Sequence, residues 1–130
     1  MIGPHEGQEL ELMLAGKKRL AAYNDIIPEN GKIAEAIIPE KKFKPYVDSG
    51  ELIRFCEDYV SPDNHHIRIV CFTVPAEEWR AKAYIFIRKK LQMREIQYTN
   101  SYDEFIGLLL DYNPSDIQHF LNHDLQFNRT

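Results

Sequence analysis

The sequence predicts an α+β fold: a small antiparallel sheet of three to four strands around a central hairpin over 51–74, packed by helices. Three observations predict it. Two β-rich runs, 51–60 and 65–74, flank the turn tetrapeptide Ser61-Pro62-Asp63-Asn64. The second run is apolar on both sides, with Val70, Phe72 and Val74 on one and Ile67, Ile69 and Cys71 on the other, which suits a strand at the centre of a sheet. A segment opening on Pro75-Ala76-Glu77-Glu78-Trp79 and closing on Arg88-Lys89-Lys90 then has acids first and cations last, as the helix dipole favours.

Taken in order, 6–15 reads as a helix. Leu10, Met13 and Leu14 share one face, Glu6, Glu9 and Glu11 sit early, and Gly16 is a stop with Lys17, Lys18 and Arg19 beyond it. The stretch 20–27 reads as a strand ending before Pro28, and Glu29-Asn30-Gly31-Lys32 as a turn. The run 33–38 is too short to assign. A short helix interrupted by Pro45 is expected within 39–49, stopping at Gly50.

In the first hairpin strand Ile53, Phe55 and Tyr59 share a side that Glu57 interrupts. The turn allows two registers. A two-residue loop sets Cys56 opposite Cys71. A three-residue loop, with Pro62 at the second turn position and Asn64 left-handed, sets Cys56 opposite Val70 and is preferred. A cross-strand disulfide would be strained, so two buried thiols are expected.

Helix 75–91 carries Trp79, Ala83, Phe86 and Ile87 as its apolar stripe; the rival reading is a third meander strand, for which Tyr84-Ile85-Phe86-Ile87 has the propensity. An edge strand is expected near 95–98. Ser101-Tyr102-Asp103-Glu104 has the form of a capping box opening a helix over 101–111, with Phe105, Leu108 and Leu109 inward. Asn113-Pro114 then starts a last helix, 114–123, with Ile117, Phe120 and Leu121 inward.

The chain has 130 residues, a net charge of −4 and a pI near 5.7, with 44% hydrophobic and 28% charged residues. These values suit one globular domain over 1–130 and exclude a disordered chain. They also make nucleic acid an unexpected partner. No apolar run reaches membrane-spanning length, the N-terminus has no signal-peptide pattern, and two cysteines make no disulfide framework. A cytoplasmic protein, without membrane attachment or cofactor, is the expectation. Charge is segregated: Arg80, Lys82, Arg88, Lys89, Lys90 and Arg94 cluster together, whereas 95–128 holds Glu95, Asp103, Glu104, Asp111, Asp116 and Asp124 with no Lys or Arg. The basic helix is expected to face this acidic stretch or a charged partner.

Several constellations are candidates for chemistry. Asp116, His119 and His123 share one face of the last predicted helix, and histidines four apart can reach one metal ion, although the Glu that a zinc protease places after its first His is replaced by Phe120. The alternative is a solvated polar face. His65 and His66 adjoin the hairpin turn, where Asp63 or Glu57 offers a carboxylate to orient a catalytic base, but neighbouring strand residues point to opposite faces. His5 and Glu6, flanked by Gly3-Pro4 and Gly7, precede a helix start that favours anions. Pro4-His5-Glu6-Gly7-Gln8-Glu9-Leu10, Leu12-Met13-Leu14-Ala15-Gly16-Lys17-Lys18 and Pro75-Ala76-Glu77-Glu78-Trp79-Arg80 resemble segments of small uncharacterised bacterial proteins, a likeness that implies no activity.

No catalytic signature is complete. The leading expectation is therefore a small protein-binding module, of inhibitor, immunity or antitoxin type. It would act on a basic partner protein through an acidic C-terminal surface with Tyr98, Tyr102, Asp103, Asp111, Tyr112 and Asp116 as contacts. The alternative is a small hydrolase or transferase using a His and carboxylate site near the hairpin turn or at His5 and Glu6.

Overall fold

The computed structural model describes residues 4–113 and Ser115. Three antiparallel strands, β1 (Leu20–Ile26), β2 (Ile53–Val60) and β3 (His66–Thr73), form one sheet in the order β1-β3-β2. Four helices surround it: α1 (Glu9–Leu14), α2 (Glu40–Asp48), α3 (Glu78–Gln92) and α4 (Asn100–Leu109). The predicted helix 114–123 lies outside the described residues except for Ser115.

The α+β class and the central hairpin are as the sequence predicts. β3 occupies the middle of the sheet because neither of its faces tolerates water. Ile69 and Cys71 pack with Leu20, Ala81, Tyr84, Ile106 and Leu109 on the side of α3 and α4. Val70 and Phe72 pack with Leu10, Met13, Ile38, Phe43 and Leu52 on the side of α1 and α2. Each apolar face therefore has its own helical cover, and Phe43 stacks on Phe72 with ring centroids 4.1 Å apart.

The hairpin adopts the preferred register. Cys56 pairs with Val70, Ser61 N–H donates to His65 O at 2.9 Å, and Asn64 takes φ 66°. A three-residue loop needs one left-handed residue, and Asn bears that conformation at low cost. Cys71 is buried but Cys56 is exposed, contrary to the expectation of two buried thiols: its position on β2 turns it away from α3, and no helix covers it.

Helix boundaries and phases depart from expectation for identifiable reasons. α1 starts at Glu9, later than predicted, after a series of turns over 4–8. Leu10 and Met13 point inward while Leu14 is exposed. Gly16, at φ 75°, ends the helix as predicted, with Lys17 N–H donating to Leu12 O. Pro45 sits inside α2 without interrupting it.

α3 begins at Glu78, since Pro75 is a turn residue and not a helix start. Ala76 at φ 73° and the bond from Glu77 N–H to Val74 O make a turn with Pro75 at its second position. The inward face of α3 is Arg80, Ala81 and Tyr84, whereas Trp79 and Phe86 of the predicted stripe are 51% and 64% exposed. Residues 95–98 form no strand; they are the connection from α3 to α4, entered through Arg94 at φ 59°. α4 is capped by extended Thr99 and includes Ser101, so the predicted capping box is not made. Its inward residues are Asp103, Ile106, Gly107 and Leu109, leaving Phe105 and Leu108 outside.

The covers on the α1 and α2 side are short, of 6 and 9 residues, so their packing on β3 falls heavily on Phe43 and Phe72. Phe72→Ala is expected to cost about 3–5 kcal/mol in urea unfolding followed by circular dichroism. A loss below about 1 kcal/mol would contradict this assignment of the second core.

Candidate functional site

Most of the residues singled out for chemistry are not brought together. Glu6, His65, His66 and Asp63 are all exposed. Asp63 accepts from Arg94 Nη2 at 3.3 Å at both carboxylate oxygens, so the carboxylate expected to orient a histidine holds an arginine. His5 lies elsewhere, with its ring 4.7 Å from the Tyr112 ring and Nδ1 2.9 Å from Lys18 Nζ. Asp116, His119 and His123 lie outside the described residues. Among the described residues, no group of three His, Cys, Asp or Glu side chains could hold a metal ion. No helix among them is long and apolar enough to cross a membrane.

The acidic contacts expected for a partner are largely engaged within the chain. Asp103 is 1% exposed and accepts a short hydrogen bond from Tyr98 OH. Tyr98 OH also approaches Asn100 Oδ1 at 3.3 Å, and Tyr102 is half-buried. Asp111 accepts the Arg19 backbone N–H at 2.7 Å and Arg19 Nε at 3.1 Å. Tyr112 lies against both His5 and Lys18, whose ammonium is 5.1 Å from the phenol ring.

These contacts build a cationic clamp on the C-terminus of α4. A helix ends with carbonyls that have no partner within it and with the negative end of its dipole. Arg80 of α3 donates to Leu108 O at 3.1 Å and Leu109 O at 3.0 Å. Lys18, 1% exposed, donates to Leu110 O at 2.6 Å. Asp111, at φ 62°, turns the chain out of the helix and ties it to Arg19 at the start of β1. Glu77 takes Arg80 Nε at 2.6 Å. Three segments distant in sequence thus meet through charged groups in a protected position. Sequence pattern missed them because Lys18, Arg80 and Asp111 look like surface charges until the helix end they serve is known.

The clamp also positions an exposed apolar surface. Arg80 joins the first turn of α3 to the last turn of α4, and at that junction Trp79 and Leu108 face outward at 51% and 59% exposure. Phe105, 39% exposed, lies one turn back along α4. The Trp79 ring is backed by the Arg80 guanidinium at 4.9 Å, a cation–π contact that holds the indole in place. A separate groove of about 520 Å³ runs between β2 and α3, lined by Phe55, Glu57, Lys82, Ile85, Phe86 and Lys89. Neither thiol is activated: burial pushes Cys71 well up, and burial, opposed by Arg54, also raises Cys56.

Burial by itself would raise the Asp111 carboxyl, but the hydrogen bonds from Arg19, with Arg80 nearby, outweigh it and hold the group below the usual carboxylate range. A depressed folded-state pKa stabilises the protein above the unfolded value near 4, and that contribution is lost as the pH falls through the folded-state pKa. Asp111→Asn keeps a residue that accepts positive φ and removes the charge. It is expected to cost about 1–2 kcal/mol at neutral pH, with the gap to the native protein narrowing below about pH 4. Urea unfolding across a pH series checks this, and a gap constant down to acid pH would exclude the ion pair as its source.

Compared with known proteins, the chain matches no family model, no curated protein and no solved structure.

Proposed function

We propose that this chain is a protein-binding module whose docking face is the α3–α4 junction, with Trp79 and Leu108 as anchors and Phe105 at its margin. The observation that carries this reading is a half-exposed tryptophan and an exposed leucine on two helices that Arg80, the chain neighbour of Trp79, locks together through the Leu108 carbonyl. Large apolar side chains in water are ordinary when scattered, and informative when a rigid support holds several at one place. Trp and Arg are also the residue types that most often dominate the energetics of interfaces, and Trp79 and Arg80 are stacked here.

The docking face then lies on the apolar neighbours of the acidic residues and not on those residues themselves. Asp103 and Asp111 serve the interior, which leaves apolar contact as the main contribution at this face. Holding another protein is favoured over acting on a small substrate, since the described histidines and carboxylates converge on no common cleft. Nothing in the geometry restricts the partner to a basic protein.

Affinity capture with immobilised protein from the native host is expected to recover a partner that Trp79→Ala and Leu108→Glu each reduce roughly tenfold or more. Lys44→Glu, on α2 across the sheet, is expected to leave recovery intact, and all three variants keep the native thermal midpoint because the side chains are exposed. A partner recovered equally by all three variants would overturn the assignment of this face.

A further inference from the structure

The outer edge of β2 carries a second surface, independent of the docking face on α3 and α4. β2 is eight residues long and pairs with β3 without a bulge from Ile53↔Thr73 to Val60↔His66. It contains no proline or lysine; of the devices that blunt a sheet edge it carries only the charges of Arg54, Glu57 and Asp58. Because Ser61 N–H bonds inward to His65 O, the alternation of an antiparallel ladder directs the N–H groups of Arg54, Cys56, Asp58 and Val60 away from the sheet. The side chains of these four are exposed. The opposite edge differs: β1 begins at fully buried Leu20 and Ala21, next to α1 and the clamp.

We infer that this edge pairs with the same edge of a second copy of the chain, antiparallel about a two-fold axis at Cys56, giving a continuous six-stranded sheet. The side-chain pattern selects both the partner and the register. With Cys56 opposite the partner's Cys56, Arg54 stands opposite the partner's Asp58, and the axis repeats that pair on the other side. Ile53 stands opposite the partner's Tyr59, and the open edge ends there, since the Leu52 N–H donates to Tyr46 O of α2 at 3.0 Å. Sliding the pairing by one step sets Arg54 against the partner's Cys56 or the partner's Val60, and by two steps sets Arg54 against the partner's Arg54 or Asp58 against the partner's Asp58. Cross-strand opposite charges stabilise a pairing and like charges oppose it. Within each chain Arg54 is already held by Glu40 of α2 at 2.7 Å and Asp58 by its cross-strand neighbour Arg68 at 2.8 Å, so association joins existing ion pairs into a longer row of alternating charge.

Strand pairing alone is small for a stable interface, which needs roughly 1,000 Å² or more. The groove beside β2 supplies the remainder. Phe86, 64% exposed, lies with Ile85 and Phe55 along this edge. The two-fold axis brings the two grooves together on one face of the joined sheet, where the aromatic rings cover each other.

Sedimentation equilibrium of the full chain is expected to give twice the 15.3 kDa chain mass. Arg54→Asp and Asp58→Arg each set like charges opposite one another twice, so each variant alone is expected to sediment as a monomer. Mixed in equal amounts they restore both opposite-charge pairs and are expected to return to the dimer mass. Cys56→Pro, which removes an outward N–H and no bond of the β2–β3 ladder, is expected to be a folded monomer by circular dichroism. A native chain that is monomeric throughout a dilution series would overturn the inference and leave the edge to an extended segment of another protein. Dimers unaffected by Arg54→Asp, Asp58→Arg and Cys56→Pro, or a mixture that fails to restore the dimer, would equally overturn it. The docking face on α3 and α4 is judged by its own capture experiment, so either proposal can fail alone.

Discussion

The architecture depends on one strand that must be hidden on both sides. β3 places Ile69 and Cys71 against one helical layer and Val70 and Phe72 against the other, all at or near zero exposure. An antiparallel sheet more often keeps one wet face. Here three strands do not provide that choice, because the central one alternates apolar with apolar. The chain therefore has to supply cover before and after the hairpin. α1, α2 and the 33–38 connection supply one side, and α3 with α4 the other. The order of elements along the sequence follows from this requirement.

Polar groups finish what the apolar ones begin. α4 reaches its C-terminus inside the protected layer, where water does not readily satisfy its last carbonyls. Lys18 and Arg80 do so, and their charge also suits the negative end of the helix. Lone buried cations are costly, so each has further partners: Arg80 has Glu77, and Lys18 has His5 and the Tyr112 ring. Asp111 closes the arrangement through Arg19. The same contacts fix the N-terminal segment, the first strand and the helical hairpin relative to one another, which apolar packing alone does less directionally.

The three strands of the sheet were legible in the sequence, although a fourth expected near 95–98 is a connection, and helical phases were not; the difference is physical. A strand's side chains alternate with period two, so Ile53, Phe55 and Tyr59 or Val70, Phe72 and Val74 declare their faces without further information. The turn chemistry of Pro62 and Asn64 then selected a register. Helix α3 offers no such contrast. It carries apolar side chains around most of its circumference, and its inward positions include Arg80 and Tyr84, whose polar ends find partners on α4 and at Asn24. A hydrophobicity pattern counts Arg80 as exposed and Trp79 as buried, the reverse of the structure. The same error recurs in α4, where Asp103 is inward because Tyr98 meets it and Leu108 is outward. The residues of the proposed face follow these phases, which explains why that face was invisible in the sequence, whereas Asp103 and Asp111, expected at a partner surface, bond within the chain.

Charge pairing also determines what kind of recognition the surface supports. The chain segregates basic and acidic stretches in sequence, which suggested attraction over a distance. In three dimensions Arg54 meets Glu40, Arg68 meets Asp58, Lys89 meets Glu57, Lys90 meets Glu95 and Arg94 meets Asp63, so that most of the segregation is cancelled by neighbours from other elements. Paired exposed charges project weak fields beyond a Debye length of about 8–10 Å at ordinary salt. Recognition at the proposed surfaces then rests on contact-range effects: the fit of Trp79 and Leu108 against apolar groups, and the register of Arg54 and Asp58 along an edge. Both are short-ranged, so both require the helix phases and strand pairing to be fixed first. The doubly buried strand and the clamp on α4 supply that rigidity.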